Sequence, residues 1–188
     1  MRIISGSFKG KKFLEPKDRS TRPLKDLTKE SIFNIILHSN KFNTEVSNSN
    51  VLDLFSGVGS FGLECLSRGA SFTTFVENYK EVLPVLKKNI FNMSYQNISS
   101  IIEKNIFDKL NFNNFDKKFD IIFMDPPYKE KNLLPLLTEI NRSNILNKNG
   151  IIIIHRHKSE NDELPSKFNI VEQKVYGISK IIFGNFLN

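Results

Sequence analysis

The chain has 188 residues, with 27 Lys and Arg against 20 Asp and Glu and a formal charge of +7. Apolar residues make up 39% and charged ones 25%, an ordinary globular balance, and the length fits one domain plus at most a small appendage. The longest purely aliphatic run, Ile151 to Ile154, is too short to span a membrane, and the opening Met1-Arg2-Ile3-Ile4-Ser5-Gly6 has no apolar signal core, so a cytoplasmic protein with no membrane partner is expected. The single cysteine, Cys65, excludes an internal disulfide and reads as a buried apolar residue, and no Cys/His cluster has zinc spacing, so no metal is expected.

The charge is unevenly spread. Residues 1–29 hold nine basic side chains (Arg2, Lys9, Lys11, Lys12, Lys17, Arg19, Arg22, Lys25, Lys29) and three acidic ones (Glu15, Asp18, Asp26), a local +6 that leaves +1 for the rest. Such a segment is either a solvated arm or one that contacts a polyanion. Its residues 2–15 alternate in polarity, with turns offered at Ser5-Gly6 and Lys9-Gly10, and predict a short β-ribbon broken at Pro16. Arg19 to Pro23 reads as an exposed loop. From Leu24, the positions Leu27, Ile32, Ile35 and Ile36, with Phe33 and Leu37, predict a helix to about His38. The Asn/Ser-rich stretch 40–50 then separates an N-terminal extension, residues 1–40, from a main body, residues 41–188.

The main body alternates regularly. Strands are predicted at 51–55, 72–76, 98–103, 120–124 and 150–155, and helices at 61–68, 80–93 and about 133–140, with a polar excursion after the third strand. The last third differs: 168–176 and 178–186 are strand-like and joined by a tight turn at Tyr176-Gly177, so they pair antiparallel. The prediction is an α/β, doubly wound, mostly parallel sheet that ends in an antiparallel hairpin.

Two motifs fall where this fold binds ligands. Gly57, Gly59 and Gly62 form a G-x-G-x-x-G that follows the first strand and opens a helix, and Glu77 ends the next strand, where a carboxylate can take ribose hydroxyls. The same backbone serves dinucleotides and S-adenosylmethionine. Asp53, at the strand end before the glycines, would repel a pyrophosphate but suits a sulfonium cofactor with its α-ammonium group. Asn105, after the third strand, is placed near the adenine amine or in a plain turn. The second motif is Asp125-Pro126-Pro127-Tyr128 at the end of the fourth strand. The prolines stiffen the loop and donate no amide hydrogens, which leaves a ring of acceptors. Such a ring can grip the exocyclic amine of a nucleobase, free its lone pair for in-line attack on a methyl group, and leave Asp125 to take the proton while Tyr128 stacks on the base. His155, Arg156 and His157 read as a solvated or RNA-facing strand end.

Together the motifs resemble the RsmD family of bacterial 16S rRNA guanine-N2 methyltransferases, of the class I S-adenosylmethionine-dependent enzymes. Arg2 to Gly6, Gly10-Lys11, Arg22-Pro23, Asp26, Glu30 and Phe33-Asn34 resemble the family's N-terminal signature. Asp53 to Gly59 with Gly62 to Glu64 and Leu66 to Ala70, then Glu77-Asn78 and Asp125 to Tyr128, follow in the family's order. Leu24 and His155-Arg156-His157 depart from it. The resemblance implies a Rossmann-like, seven-stranded class I fold and methylation of a guanine N2 in 16S rRNA, within the small ribosomal subunit or its assembly intermediate. It implies S-adenosylmethionine as cofactor and S-adenosylhomocysteine as product; the oligomeric state is left open, with a monomer as the default. Motifs and resemblance together place Asp125, Pro126 and Tyr128 at the reaction and Asp53, Phe55, Gly57, Gly59, Glu77, Asn78 and Asn105 around the cofactor, and the basic N-terminal segment is expected to put Arg2, Lys9, Lys11, Lys12, Arg19 and Arg22 on the RNA. Amino-methylation of DNA adenine or protein glutamine, or a non-catalytic RNA-binding assembly factor, are the other readings.

Overall fold

A computed structural model describes residues 1–16, 24–127 and 130–187. Its strands are β1 (Asn50–Leu54), β2 (Phe72–Val76), β3 (Ser99–Ile102), β4 (Phe119–Met124), β5 (Leu146–His157), β6 (Phe168–Tyr176) and β7 (Ser179–Phe186). They form one sheet in the order β3-β2-β1-β4-β5-β7-β6. The first five strands are parallel, and β7 lies antiparallel between β5 and β6, as the sequence predicts.

Strand parity explains why both faces are covered. Val51, Phe75, Ile121, Phe123, Ile151, Ile153, Ile181 and Phe183 pack on one face with residues of α1 (Asp26–His38), α2 (Ser60–Ser67) and α3 (Leu83–Asn92). Leu52, Leu54, Val76, Ile122, Met124, Ile152, Ile154 and Ile182 pack on the other with α5 (Leu133–Arg142) and the segment that begins with α4 (Ile106–Lys109). Parallel strands buried on two sides read as continuous apolar runs, which is how they stand in the sequence. Winding reverses between β1 and β4, and the crevice at the carboxyl ends of those strands is where such sheets bind ligands.

The N-terminal segment joins this body rather than hanging from it. Ile3 and Phe13 are buried in the same cluster as α1 and the first sheet face. The expected β-ribbon consists of one antiparallel bridge, Arg2 to Lys12, with Ile3 N–H donating to the Lys11 carbonyl at 2.9 Å. It goes no further because its amides are used elsewhere. Ile4 and Ser5 N–H donate to the Glu64 carboxylate at 2.7 and 3.0 Å, and Ser7 and Phe8 N–H donate to Ser67. Gly6, at φ +84°, passes so close that a Cβ there would lie 1.7 Å from the Ser67 carbonyl oxygen, so only glycine fits. Among the described residues no helix is long and apolar enough to cross a membrane.

Candidate active site

The exit of β1 is tightly constrained. Phe55 stands in the left-handed region at φ +61°, and Gly57 and Gly59 follow at +55° and +85°. A non-glycine residue held there costs on the order of 1–3 kcal/mol and persists only where the surrounding structure fixes it. Ser56 fixes the loop: its hydroxyl donates to the Asp53 carbonyl at 2.5 Å and accepts from Val76 N–H at 3.0 Å. Glu77, at the end of β2, binds the loop from the other side. Its Oε2 accepts from Gly57 N–H at 2.7 Å, and its Oε1 accepts from Asn78 and Tyr79 N–H, each at 2.8 Å.

Asp53 is almost fully buried and accepts from Gly62 N–H through Oδ2 at 2.9 Å. Its Oδ1 has no hydrogen-bond partner among the described residues. Burial pushes its carboxyl well above the usual carboxylate range; the Gly62 bond opposes this, and the nearby Asp125 and Glu77 charges reinforce it. An acid so placed keeps its proton unless a cation is brought beside it.

Asp125 follows β4, and the pairing of Leu54 and Ile154 with Met124 sets its neighbours β1 and β5 alongside. Its Oδ1 lies 2.8 Å from His155 Nδ1, and His155 Nε2 lies 2.9 Å from the Ser179 hydroxyl. Its Oδ2 has no partner among the described residues. Arg156 points to the other face and braces the proline loop, donating to the Pro127 carbonyl at 3.2 Å and the Glu130 carbonyl at 2.9 Å while it makes a two-pronged pair with Asp162 at 2.7 and 2.9 Å. His155 and Arg156 are thus buried. This corrects the expectation of a solvated or RNA-facing strand end, which rested on strand position alone.

These elements enclose a cavity of about 690 Å³. Asp53, Phe55, Gly57, Glu77, Asn78, Asp125 and Pro126 line it together. Gly59 does not line it: it caps α2, and a Cβ there would meet Leu86 at 2.6 Å. Asn105 also lies off the lining, and its side chain accepts from Phe107 N–H at 3.0 Å as the cap of α4, the turn role held open for it. Tyr128, Arg19 and Arg22 fall outside the described residues. Further lining residues are Leu24 and His155, which the sequence marks only as departures from the family pattern, and Lys25 before α1 and Ile178 in the β6–β7 turn, which it does not mark as site residues. These four belong to no ligand-binding motif, but strand parity places His155 on the same face as Asp53. Among the described residues no cluster of His, Cys, Asp and Glu is arranged to hold a metal ion.

Of the basic positions, Arg2, Lys9 and Lys12 are exposed and Lys11 partly so, bonded to the Asn92 carbonyl. Lys29 is buried instead. Its ammonium donates to the Arg2 carbonyl at 2.6 Å and pairs with Glu64 at 3.5 Å, and burial lowers its pKa while Glu64 and Asp26 pull it back up.

Comparison with known proteins places this geometry. The model of the family described as conserved hypothetical protein 95 matches residues 1–185. The chain is 31% identical over 173 residues to the ribosomal RNA small subunit methyltransferase D of Buchnera aphidicola subsp. Acyrthosiphon pisum, covering 92% of this chain and 86% of that one. The solved structure of yhhF from Escherichia coli matches with a TM-score of 0.80 at 24% identity, over 99% of this chain and 97% of that chain. SMU.776, complexed with SAH, matches at 0.63 and 20% identity, over 84% of this chain and 49% of that chain. The sheet is that of the class I methyltransferases, and the chain belongs to the RsmD family of methyltransferases.

Proposed function

We propose that the protein methylates the exocyclic N2 amine of a guanine in 16S rRNA, met in the small ribosomal subunit or its assembly intermediate, with S-adenosylmethionine as donor. The observation that carries this reading is the cavity at the β1/β4 crevice, where three carboxylates and a stiff proline pair face one space. The name borne by the Buchnera relative supports the ribosomal RNA part, and the exposed basic side chains of the N-terminal segment support an RNA partner.

The donor set fits the cofactor. The open Oδ1 of buried Asp53 suits an α-ammonium group, Glu77 beside the glycine loop suits ribose hydroxyls, and Phe55 and Asn78 border the same space. Asn105 caps α4 and does not line that space. What S-adenosylmethionine supplies when bound is an electrophilic methyl group on sulfur, with S-adenosylhomocysteine as product.

The protein's own groups do the rest. Asp125 Oδ2 and the Pro126 carbonyl accept the two N–H bonds of the amine, which turns its lone pair toward the methyl group and holds it in line. Asp125 then receives the proton that the methylated amine gives up. Tyr128 stacks on the extruded base. Arg2, Lys9, Lys11, Lys12, Arg19 and Arg22, within an RNA-contacting extension of residues 1–40, hold phosphates, and residues 41–188 carry the chemistry. Asp125→Ala tests this: methyl transfer should vanish while the affinity for S-adenosylmethionine, measured by calorimetry, stays within about twofold. Loss of cofactor binding would place Asp125 in a different role.

A further inference from the structure

We infer that His155 is the positioning residue of the reaction, holding Asp125 in the one orientation that offers Oδ2 to the substrate amine. The inference rests on the reading of Asp125 given above. Asp125 leaves its strand at the rim of the cavity, and its side chain is about one-fifth exposed, so packing alone does not set its rotamer. His155 supplies what packing does not. It lines the same cavity, is almost wholly buried, and meets Oδ1 through Nδ1 at 2.8 Å.

The roles of the two ring nitrogens follow from their partners. A carboxylate only accepts, so Nδ1 carries the proton and donates to Oδ1. Nε2 faces the Ser179 hydroxyl at 2.9 Å, a group that can donate or accept and so satisfies it either way. Ser179 is buried on β7, whose antiparallel pairing with β5 sets His155 opposite Ile181 and His157 opposite Ser179. The chain of bonds therefore runs from the C-terminal hairpin through the imidazole to the carboxylate. With Oδ1 occupied, Oδ2 is left for the amine, and no proton need move along the chain. The antiparallel hairpin thus gains a function in the site, since it holds the ring that holds Asp125.

The test compares three variants of the full-length protein. His155→Phe keeps a planar ring but removes the donor, and His155→Asn restores an N–H near the Nδ1 position. In methyl transfer, kcat should fall about 10- to 100-fold in His155→Phe, the scale set by misplacing a reacting group by about an ångström. KM for S-adenosylmethionine should stay within about twofold, and His155→Asn should recover at least part of the lost kcat. Equal losses in both variants, or a kcat for His155→Phe close to that of the wild type, would overturn the inference. Nitrogen-15 spectra of the imidazole give a readout free of activity: the wild type should show the Nδ1–H form, and Asp125→Ala should abolish that preference. An unchanged tautomer in Asp125→Ala would also overturn it. If the wild type shows the Nδ1–H form yet transfers no methyl group to RNA, the reading of the substrate fails and the Asp125–His155 pairing stands.

Discussion

Asp53 is an acid that folding alone does not favour. Because burial raises its folded-state pKa, the folded chain keeps a proton that the unfolded chain gives up. Its contribution to stability is greatest below the ordinary carboxylate range and is lost as the pH rises through the raised value. A bound cation reverses this by favouring the anion. The affinity for S-adenosylmethionine should therefore increase with pH between the ordinary carboxylate range and the raised value, and Asp53→Asn should both weaken binding by about 10- to 100-fold, the scale of a charge-assisted hydrogen bond, and flatten that dependence. Calorimetry at several pH values checks both. Motif spacing found Asp53, Glu77 and Asp125 because each stands at a fixed place beside glycines or prolines. It could not find His155 or the Lys29–Glu64 pair, whose members meet only through the register of distant segments.

Element boundaries show the same division. Strands β2 and β6 stand where the residue pattern places them, because their apolar and β-branched runs are bounded by turn residues. In helix α1, Ile32, Phe33 and Ile36 are buried as the apolar pattern predicts, but Thr28 and Lys29 are buried beside them while Leu27 and Leu37 are exposed. Lys29 is accommodated inside by the buried Glu64 carboxylate at 3.5 Å, a partner that no apolar pattern signals. Strand β5 begins at Leu146 rather than Gly150, because Asn147 donates to Asp120 at 2.6 Å and extends a pairing that no apolar alternation signals. In the polar excursion, α4 and the turn at Phe112–Asn114 are each capped by an asparagine side chain and are too short to show a period. Arg156 links β5 to the proline loop, so Arg156→Ala leaves Asp162 and two carbonyls without their partner. It should cost about 3–5 kcal/mol of unfolding free energy in urea titration, and it should lower kcat through a loosened Asp125 loop.

At the scale of the molecule, the +7 charge resolves into parts with different work. Lys29 is spent inside, Arg2 faces Asp26 at 3.6 Å, and Lys9, Lys11 and Lys12 remain on the outer side of the N-terminal segment. Charge reversal at those three lysines should weaken RNA binding and lower the slope of log affinity against log salt by about 0.7–0.9 for each phosphate that is no longer neutralised. Fluorescence anisotropy over a salt series measures it, and an unchanged slope would remove the segment from the interface. The proposed function turns on which base and which atom receive the methyl group, and mass mapping of modified nucleotides in 16S rRNA, from cells with and without this protein, reads both. One N2-methylguanosine should be lost without the protein and restored by the wild type but not by Asp125→Ala. An unchanged set of guanine modifications, with loss of a methyl group from DNA adenine or protein glutamine instead, would contradict it.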